Sequence, residues 1–495
     1  MNTRISVLLS GILLTLALAA SATVKTKDAG EDWRWESVER VVVVADIHGA
    51  YPELIGLLQA TDVIDESLAW AGGKTHLVSL GDLLDRGAES RSVMELLMRL
   101  EVEAAAAGGR VHVVLGNHEH MNLIGDLRYV SDSEYAAFAD DEVPQDRTRA
   151  RERFAANNTT MNAAALDAAF TQRFPPGYFG HRAAFRPGGR YGRWLLSLPT
   201  MVVVNDSVFV HGGLPELTSK FAPARLNQSF SNDLSRYLTV WRQLVDVGVL
   251  PDDEPDRALE LGQNGILEDP SACVEERAVS CEKIEGNGEI EALVTELGEL
   301  SSALVNQGEN PFWYRGSVYC RDILERPILD AYLKRLGVSR LIVGHTPTED
   351  RSVHVIRDGR VVMTDTGMLV SYYKGRPAAL VLEQGKKMQV QYLNPKERIA
   401  PAIDGRPVAY GLSNSDIETA LATGAIGSVE RSGDSKQWDV IIEHEGRSIR
   451  TLFYPTKRGR PDAMELAAHA LDELLGTELV PPTVPRRIED TDGAL

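Results

Sequence analysis

The sequence predicts an α/β fold built from βαβ units around a layered sheet, followed by a small α+β module at the C-terminus. Two observations predict the first part. Short, fully apolar runs alternate with helix-like stretches, as expected of strands buried on both faces. A polar residue sits just past each run, where the loops of layered α/β folds collect chemistry. A third observation predicts the module: after about Pro395 the pattern changes.

In chain order, VVVVAD (Val41–Asp46) reads as a strand, and Pro52 to Leu58 as the helix after it. HLVSLGD (His76–Asp82) is a second strand, followed by a helix from about Ser90 to Ala107, and VHVVLGN (Val111–Asn117) is a third. Residues 131–175 are polar and alanine-rich and read as a helical insertion. TMVVVND and SVFVHGG (Thr200–Gly213) form two strands joined at Asn205-Asp206. LIVGHT (Leu341–Thr346) and VVMTDTG (Val361–Gly367) complete the set. Strand–helix alternation of this kind builds a layered sheet.

Residues 251–310 hold 16 acidic and 3 basic side chains, which reads as an acidic surface insertion with one amphipathic helix, Ile290 to Leu304. It is a solvated insert, or a calcium-binding or partner-recognition segment. In the C-terminal module, residues 412–495, GAIGSVE, WDVIIEHEG and RSIRTLFYP suggest a small β unit, and Asp462 to Leu475 an amphipathic helix.

Composition narrows the function. The 495 residues are 43% apolar and 25% charged, which excludes a wholly disordered, collagenous or multi-span membrane chain. The 52 basic and 71 acidic side chains leave a net charge of −19, the wrong sign for an electrostatic grip on nucleic acid. Residues 1–22 read as a signal peptide: Arg4 precedes the apolar run Ile5–Ala20, and Ala20-Ser21-Ala22 offers a small-x-small cleavage site. The expected location is periplasmic or secreted, with no membrane contact unless that segment stays uncleaved as an anchor. In such a compartment Cys273 and Cys281 either pair or remain free thiols beside Cys320.

The chemistry lies in Asp46-x-His48-Gly49, Gly81-Asp82-x-x-Asp85-Arg86-Gly87, Gly116-Asn117-His118-Glu119, His211-Gly212-Gly213 and Gly344-His345. Two carboxylates, an amide oxygen and three imidazoles suit divalent transition metals. Asp82 follows Asp46 by 36 residues and precedes Asn117 by 35, each gap one crossover long, so neighbouring strands deliver all three to one rim. A carboxylate such as Asp82 has two oxygens with which to bridge two cations.

These motifs resemble the phosphoprotein phosphatase branch of the calcineurin-like metallophosphoesterases. PGYFGHRAAFRPGGRYGRWLLSLP (Pro176–Pro199), WYRG (Trp313–Gly316) and GHTP (Gly344–Pro347) are more specifically similar to the bacterial Shewanella-like phosphatases. The resemblance covers about residues 38–385 and departs at Ala45 and Ala50, where the family usually has glycine and a polar or acidic residue. It implies a β-sandwich flanked by helices over a catalytic domain of residues 38–395.

The resemblance also implies two divalent metal ions (Mn, Fe or Zn). Asp46, His48 and Asp82 would hold one, and Asp82, Asn117, His211 and His345 the other. His118 would be the general acid, oriented by Asp85, and Arg86 and Arg315 would grip the phosphoryl oxygens. Taken singly, His345 also reads as a strand-end histidine and Arg315 as a structural arginine. His181 and Arg182 read as packing residues. The implied activity is in-line hydrolysis of phosphomonoesters in a phosphoprotein, phosphopeptide or small phosphoester, at Ser/Thr or Tyr. Alternatives are a phosphodiesterase or dinucleotide polyphosphate hydrolase on the same site, and a non-catalytic phosphate-binding module. The C-terminal segment, ending ELLGTELVPPTV, resembles the N-lobe of bacterial kinase-like proteins, with Glu465 at the helix-glutamate position. It lacks a catalytic loop, so it is expected to dock or stabilise.

Overall fold

The computed structural model describes residues 33–250, 284, 286–383, 387–403, 414–431, 438–444, 447–455, 466–470, 483–488 and 491–495. The expected targeting segment, Cys273, Cys281 and Glu465 lie outside the described residues.

Two sheets form the main body. Strands β1 (Arg34–Trp35), β2 (Arg40–Val44), β3 (His76–Ser79), β4 (Arg110–Val113), β5 (Met201–Val204) and β6 (Ser207–Val210) come first in the chain. They are followed by β7 (Arg340–Val343), β8 (His354–Ile356), β9 (Val361–Met363), β10 (Ala378–Glu383), β11 (Lys387–Leu393), β12 (Lys396–Ile399) and β13 (Ala402–Ile403). One sheet has the order β12-β11-β10-β2-β3-β4 and the other β1-β5-β6-β7-β9-β8-β13.

The run Val41–Val44 shows why the strands are apolar throughout. Val41 and Val43 point into a cluster with Val202, Val204, Phe209, Ile342 and Val362 of the opposite sheet. Val42 and Val44 point the other way, into the core shared with the helices. All four are buried, and each buried valine contributes about 1.5 kcal/mol or more. The β5–β6 hairpin turns at Asn205, whose φ of 54° an asparagine side chain tolerates.

Strand register fixes the site. β2, β3 and β4 run parallel, with Val44 opposite Ser79 and Ser79 opposite Val113. Their C-terminal ends are level, so the loops bearing Asp46, Asp82 and Asn117 open on one edge. In the second sheet β6, β7 and β9 run parallel, Phe209 facing Ile342 and Val343 facing Met363. The loops after them carry His211, His345 and Asp365.

The helices lie where their patterns place them. Tyr51–Ala60 has a proline in its first turn, and Ser90–Ala106 follows β3. The insertion folds into Asp132–Ala136, Pro144–Asn157 and Ala163–Arg173, with Ser131 and Asn162 accepting N-cap hydrogen bonds. In the acidic stretch the helix Gly288–Ser301 packs on Pro223–Asp246 and buries Val294 and Leu297 in the main core. Its apolar stripe therefore makes it a structural part of the body rather than a surface loop. Among the described residues no helix is long and apolar enough to cross a membrane.

The C-terminal module is an antiparallel sheet of order β14-β15-β16-β18-β17, formed by Ala425–Arg431, Trp438–His444, Arg447–Pro455, Thr491–Ala494 and Pro485–Ile488. Ile417 and Leu421 of the helix Asn414–Thr423 close a separate core with Val440, Ile442, Ile449 and Phe453. Residues 466–470 are helical.

Candidate metal centre and active site

The ten residues singled out by the motifs meet on the rim where the two sheets' strand ends converge. Six of them have left-handed backbone: Asp46 (φ 41°), His48 (48°), Asp82 (51°), Asp85 (71°), Arg86 (68°) and His345 (64°). Such angles cost an L-residue roughly 1 kcal/mol or more and persist where surrounding structure imposes them, as at functional sites. The turns are held from outside. His48 N–H donates to Asp82 O (2.8 Å), and Glu119 accepts from Asp82 N (2.8 Å), Leu83 N (2.7 Å) and Gly116 N (2.9 Å). Glycine is required beside the ligands. A Cβ on Gly116 would lie 2.3 Å from Asp82 Oδ1, and one on Gly344 2.2 Å from Asp46 Oδ2.

The imidazoles are oriented by their outer nitrogens. His211 Nδ1 lies 2.7 Å from Leu80 O and His48 Nδ1 2.8 Å from Leu84 O, so in both rings Nδ1 carries the proton and Nε2 presents a lone pair. His345 Nε2 lies 3.2 Å from Trp313 O and leaves Nδ1 for the site. The His211 lone pair then faces Asn117 Oδ1 (2.9 Å), His345 Nδ1 (3.1 Å) and Asp82 Oδ1 (3.2 Å). Once the His211 Nε2 proton is displaced, these converging lone pairs fit a cation. On the other side of Asp82, Oδ2 lies 3.6 Å from His48 Nε2 and 3.9 Å from His118 Nε2. Donor atoms of His48, Asp82 and His118, and of Asp82, His211 and His345, form two clusters that share Asp82. This donor set fits two divalent ions.

Asp46 is placed differently from its partners. Its carboxylate accepts His345 N–H (2.9 and 3.0 Å) and lies beside Asp365. Burial first, and then the Asp365 charge, push Asp46 well above the usual carboxylate range. Buried like charges of this kind are relieved by a nearby cation. Burial opposes ionisation of Asp82 too, but His211 and His118 outweigh it and hold that carboxyl low. His345 is pushed down to about 2 by burial, His211 and Arg315. At His211 burial is outweighed by Asp82, which raises it to about 9.

His118 Nδ1 lies 2.5 Å from Asp85 Oδ2, and Asp85 Oδ1 accepts Asn122 Nδ2 (2.9 Å). His118 Nε2 is therefore the nitrogen turned toward the clusters. Arg86 Nη1 lies 2.6 Å from His48 Nε2 and also contacts the Tyr373 hydroxyl. Its guanidinium sits 5.3, 5.4 and 5.3 Å from the ring centres of Tyr129, Tyr372 and Tyr373. Arg315 is exposed, and its Nη1 donates to His345 O (2.7 Å) and Thr346 Oγ1 (2.9 Å). His181 is buried against Tyr135, Phe138 and Phe185, and Arg182 donates to Asn122 O (2.7 Å), so both pack around the site rather than line it.

Sequence reasoning missed Glu119, Asn122, Asp365 and the three tyrosines. Glu119 stands inside a motif already singled out, and Asp365 inside the strand run VVMTDTG, where each was a readable signal. Asn122 lies one helical turn beyond His118. Nothing in the local sequence marks the tyrosines, which come together only through the fold.

Residues 39–260 match the model of the calcineurin-like phosphoesterase family. Shewanella-like protein phosphatase 2 of Arabidopsis thaliana is 34% identical over 212 residues, 39% of this chain and 51% of that protein. Shewanella-like protein phosphatase 1 of Plasmodium berghei is 28% identical over 240 residues, 45% of this chain and 57% of that protein. The chain thus spans little more than half the length of these relatives. A solved cold-active protein-tyrosine phosphatase of a psychrophilic Shewanella species is 21% identical, with a TM-score of 0.47, over 75% of this chain and 84% of that one.

Proposed function

We propose that this chain, which carries a calcineurin-like metallophosphoesterase domain, is a metal-dependent phosphatase that hydrolyses phosphomonoesters. The observation that carries the reading is the Asp82 carboxylate shared between two donor clusters, one with His48 and with His118 backed by Asp85, the other with His211 and His345. Pure binding has no use for an acid held in this way, which argues against a phosphate-binding module.

Asp46, His48 and Asp82 would hold one divalent ion, and Asp82, Asn117, His211 and His345 the other, of the Mn, Fe or Zn class. When bound, the two ions supply Lewis acidity, bringing the pKa of water toward about 7 and neutralising phosphoryl charge. The protein's own residues do the rest. Arg86 and Arg315 bind the phosphoryl oxygens and turn the ester oxygen toward His118. As water attacks phosphorus from the opposite face, the P–O ester bond breaks and His118 Nε2 gives its proton to the departing oxygen. Asp85 holds the ring in the tautomer this requires and stabilises its charged form.

The aromatic rim supports a finer reading. Tyr129 and Tyr372 are exposed beside Arg86, and such faces favour a planar leaving group. We take phosphotyrosine in proteins or peptides as the preferred substrate, over phosphoserine and phosphothreonine. Export to the periplasm or outside the cell is proposed from residues 1–22, and docking or stabilisation from the C-terminal module.

The test is hydrolysis, after manganese reconstitution, of matched phosphotyrosine and phosphothreonine peptides and of mono- and bis-(p-nitrophenyl) phosphate. The reading requires monoester turnover that falls in His118→Asn, most steeply on the phosphothreonine peptide. Turnover of the bis-ester alone would establish the diesterase instead.

A further inference from the structure

We infer that Arg357, which belongs to neither donor cluster, is a positioning residue for the phosphate grip of Arg315; the inference rests on the phosphatase reading for the role of Arg315. Arg357 follows β8, at the end of the β8–β9 hairpin away from the loops of His345 and Asp365. Its side chain is fully buried and its backbone is left-handed (φ 55°). A buried guanidinium is tolerated only where its donors are satisfied.

Here they are satisfied by one short element. Arg357 Nε donates to Ser317 O (2.8 Å), and Nη2 reaches Gly316 O (3.4 Å), Val318 O (3.3 Å) and Cys320 O. Nη1 pairs with Asp322. These carbonyls belong to the one-turn helix Gly316–Tyr319 and the residue after it. Cys320 N–H closes on Gly316 O (3.0 Å), and the guanidinium meets the carbonyls of Ser317, Val318 and Cys320, so it serves as the C-terminal cap.

The N-cap of the same helix is Arg315. Its neighbours are fastened by a second anchor, buried Glu325, which accepts from Tyr314 Oη (2.7 Å) and Ser317 Oγ (3.0 Å). Arg315 therefore leaves a turn pinned at both ends, with only its side chain reaching toward His345 and Thr346. Phosphate binding by a guanidinium depends on its fork being aimed. Loosening the cap would cost aim before it cost metal.

The test uses the full chain with manganese bound. Inorganic phosphate binding is measured by calorimetry, and kcat and KM on p-nitrophenyl phosphate, for wild type, Arg315→Ala, Arg357→Lys, Arg357→Met and the Arg315→Ala/Arg357→Met double variant. Arg357→Met is expected to weaken phosphate binding and raise KM by about tenfold at unchanged manganese content, and Arg357→Lys by less, because lysine keeps the charge without the fork. The double variant should be no weaker than Arg315→Ala alone, as expected of residues acting in one chain. Unchanged phosphate affinity in folded Arg357→Met, or in Arg357→Lys should the former not fold, overturns the inference. So does additivity in the double variant, or an Arg315→Ala that binds phosphate as wild type does. Arg357-dependent phosphate binding without turnover would leave the inference standing and remove the phosphatase reading.

Discussion

His118 and Asp85 face each other with Nδ1 2.5 Å from Oδ2, and neither is exposed to water. The contact fixes which nitrogen of His118 is free. An acid matters most when the departing oxygen is basic. His118→Asn should lower kcat by about 10²–10⁴ on a phosphoserine peptide. It should cost less with p-nitrophenyl phosphate, whose leaving group departs without help. Asp85→Asn should give a smaller fall, because an amide oxygen still accepts from Nδ1–H but no longer stabilises the charged ring. Steady-state kinetics on both substrates check the ordering, and equal losses on the two would contradict it.

Asp82 stands in both donor clusters, so its loss should cost both ions rather than one. Titrating metal-stripped protein with manganese should show two ions bound to wild type. Asp82→Asn should bind neither tightly, whereas Asn117→Ala should lose chiefly the ion beside His211. Binding to the folded state alone also stabilises it, by about 2.7 kcal/mol at a hundredfold excess over Kd. The melting temperature should therefore rise with manganese in wild type and barely move in Asp82→Asn. A chelator should reverse both the stabilisation and the activity.

The rim was legible in the sequence because its parts are local. Asp46, Asp82, Asn117, His211 and His345 each stand a few residues past an apolar run, and strand parallelism turns that shared offset into a shared place. What was not legible depends on distant pairing. Tyr129 and Tyr372 meet around Arg86 from segments more than two hundred residues apart. Arg357 caps a turn some forty residues earlier in the chain. The helix Gly288–Ser301 looked like surface because its neighbours in sequence are acidic, yet Val294 and Leu297 find a core built by another helix. Charge along the chain describes solvation, while burial is decided by what folds back.

Gly344 offers a test that leaves every ligand in place. A methyl there would stand 2.2 Å from Asp46 Oδ2, too close for either group to remain. Gly344→Ala should displace Asp46 and weaken binding of the ion it serves by tenfold or more, while costing about 1–3 kcal/mol of stability from overpacking. Manganese calorimetry with a urea melt at saturating metal separates the two effects. A variant that keeps wild-type metal affinity would show that the Asp46 carboxylate lies outside the metal's coordination sphere.

His76 opens β3, at the end of the strand away from Asp82. His76 Nδ1 lies 3.0 Å from His112 Nε2, with Trp35 against both rings. Burial, and then the Arg110 guanidinium, push His76 down to about 4, against about 6.5 in an unfolded chain. Between those values the unfolded state binds more protons than the folded one, so the His76 contribution to stability should fall as pH drops from about 6.5 toward 4 and be flat above that window. Carboxylates add their own pH dependence, but it is common to wild type and His76→Phe and cancels in the difference between them. Urea melts of both proteins at pH 7, 6 and 5 should therefore show the wild type losing ground to the variant as acidity increases. Parallel curves would mean that the His76 ring titrates as it does in water, and that the cover provided by Trp35 opens in solution.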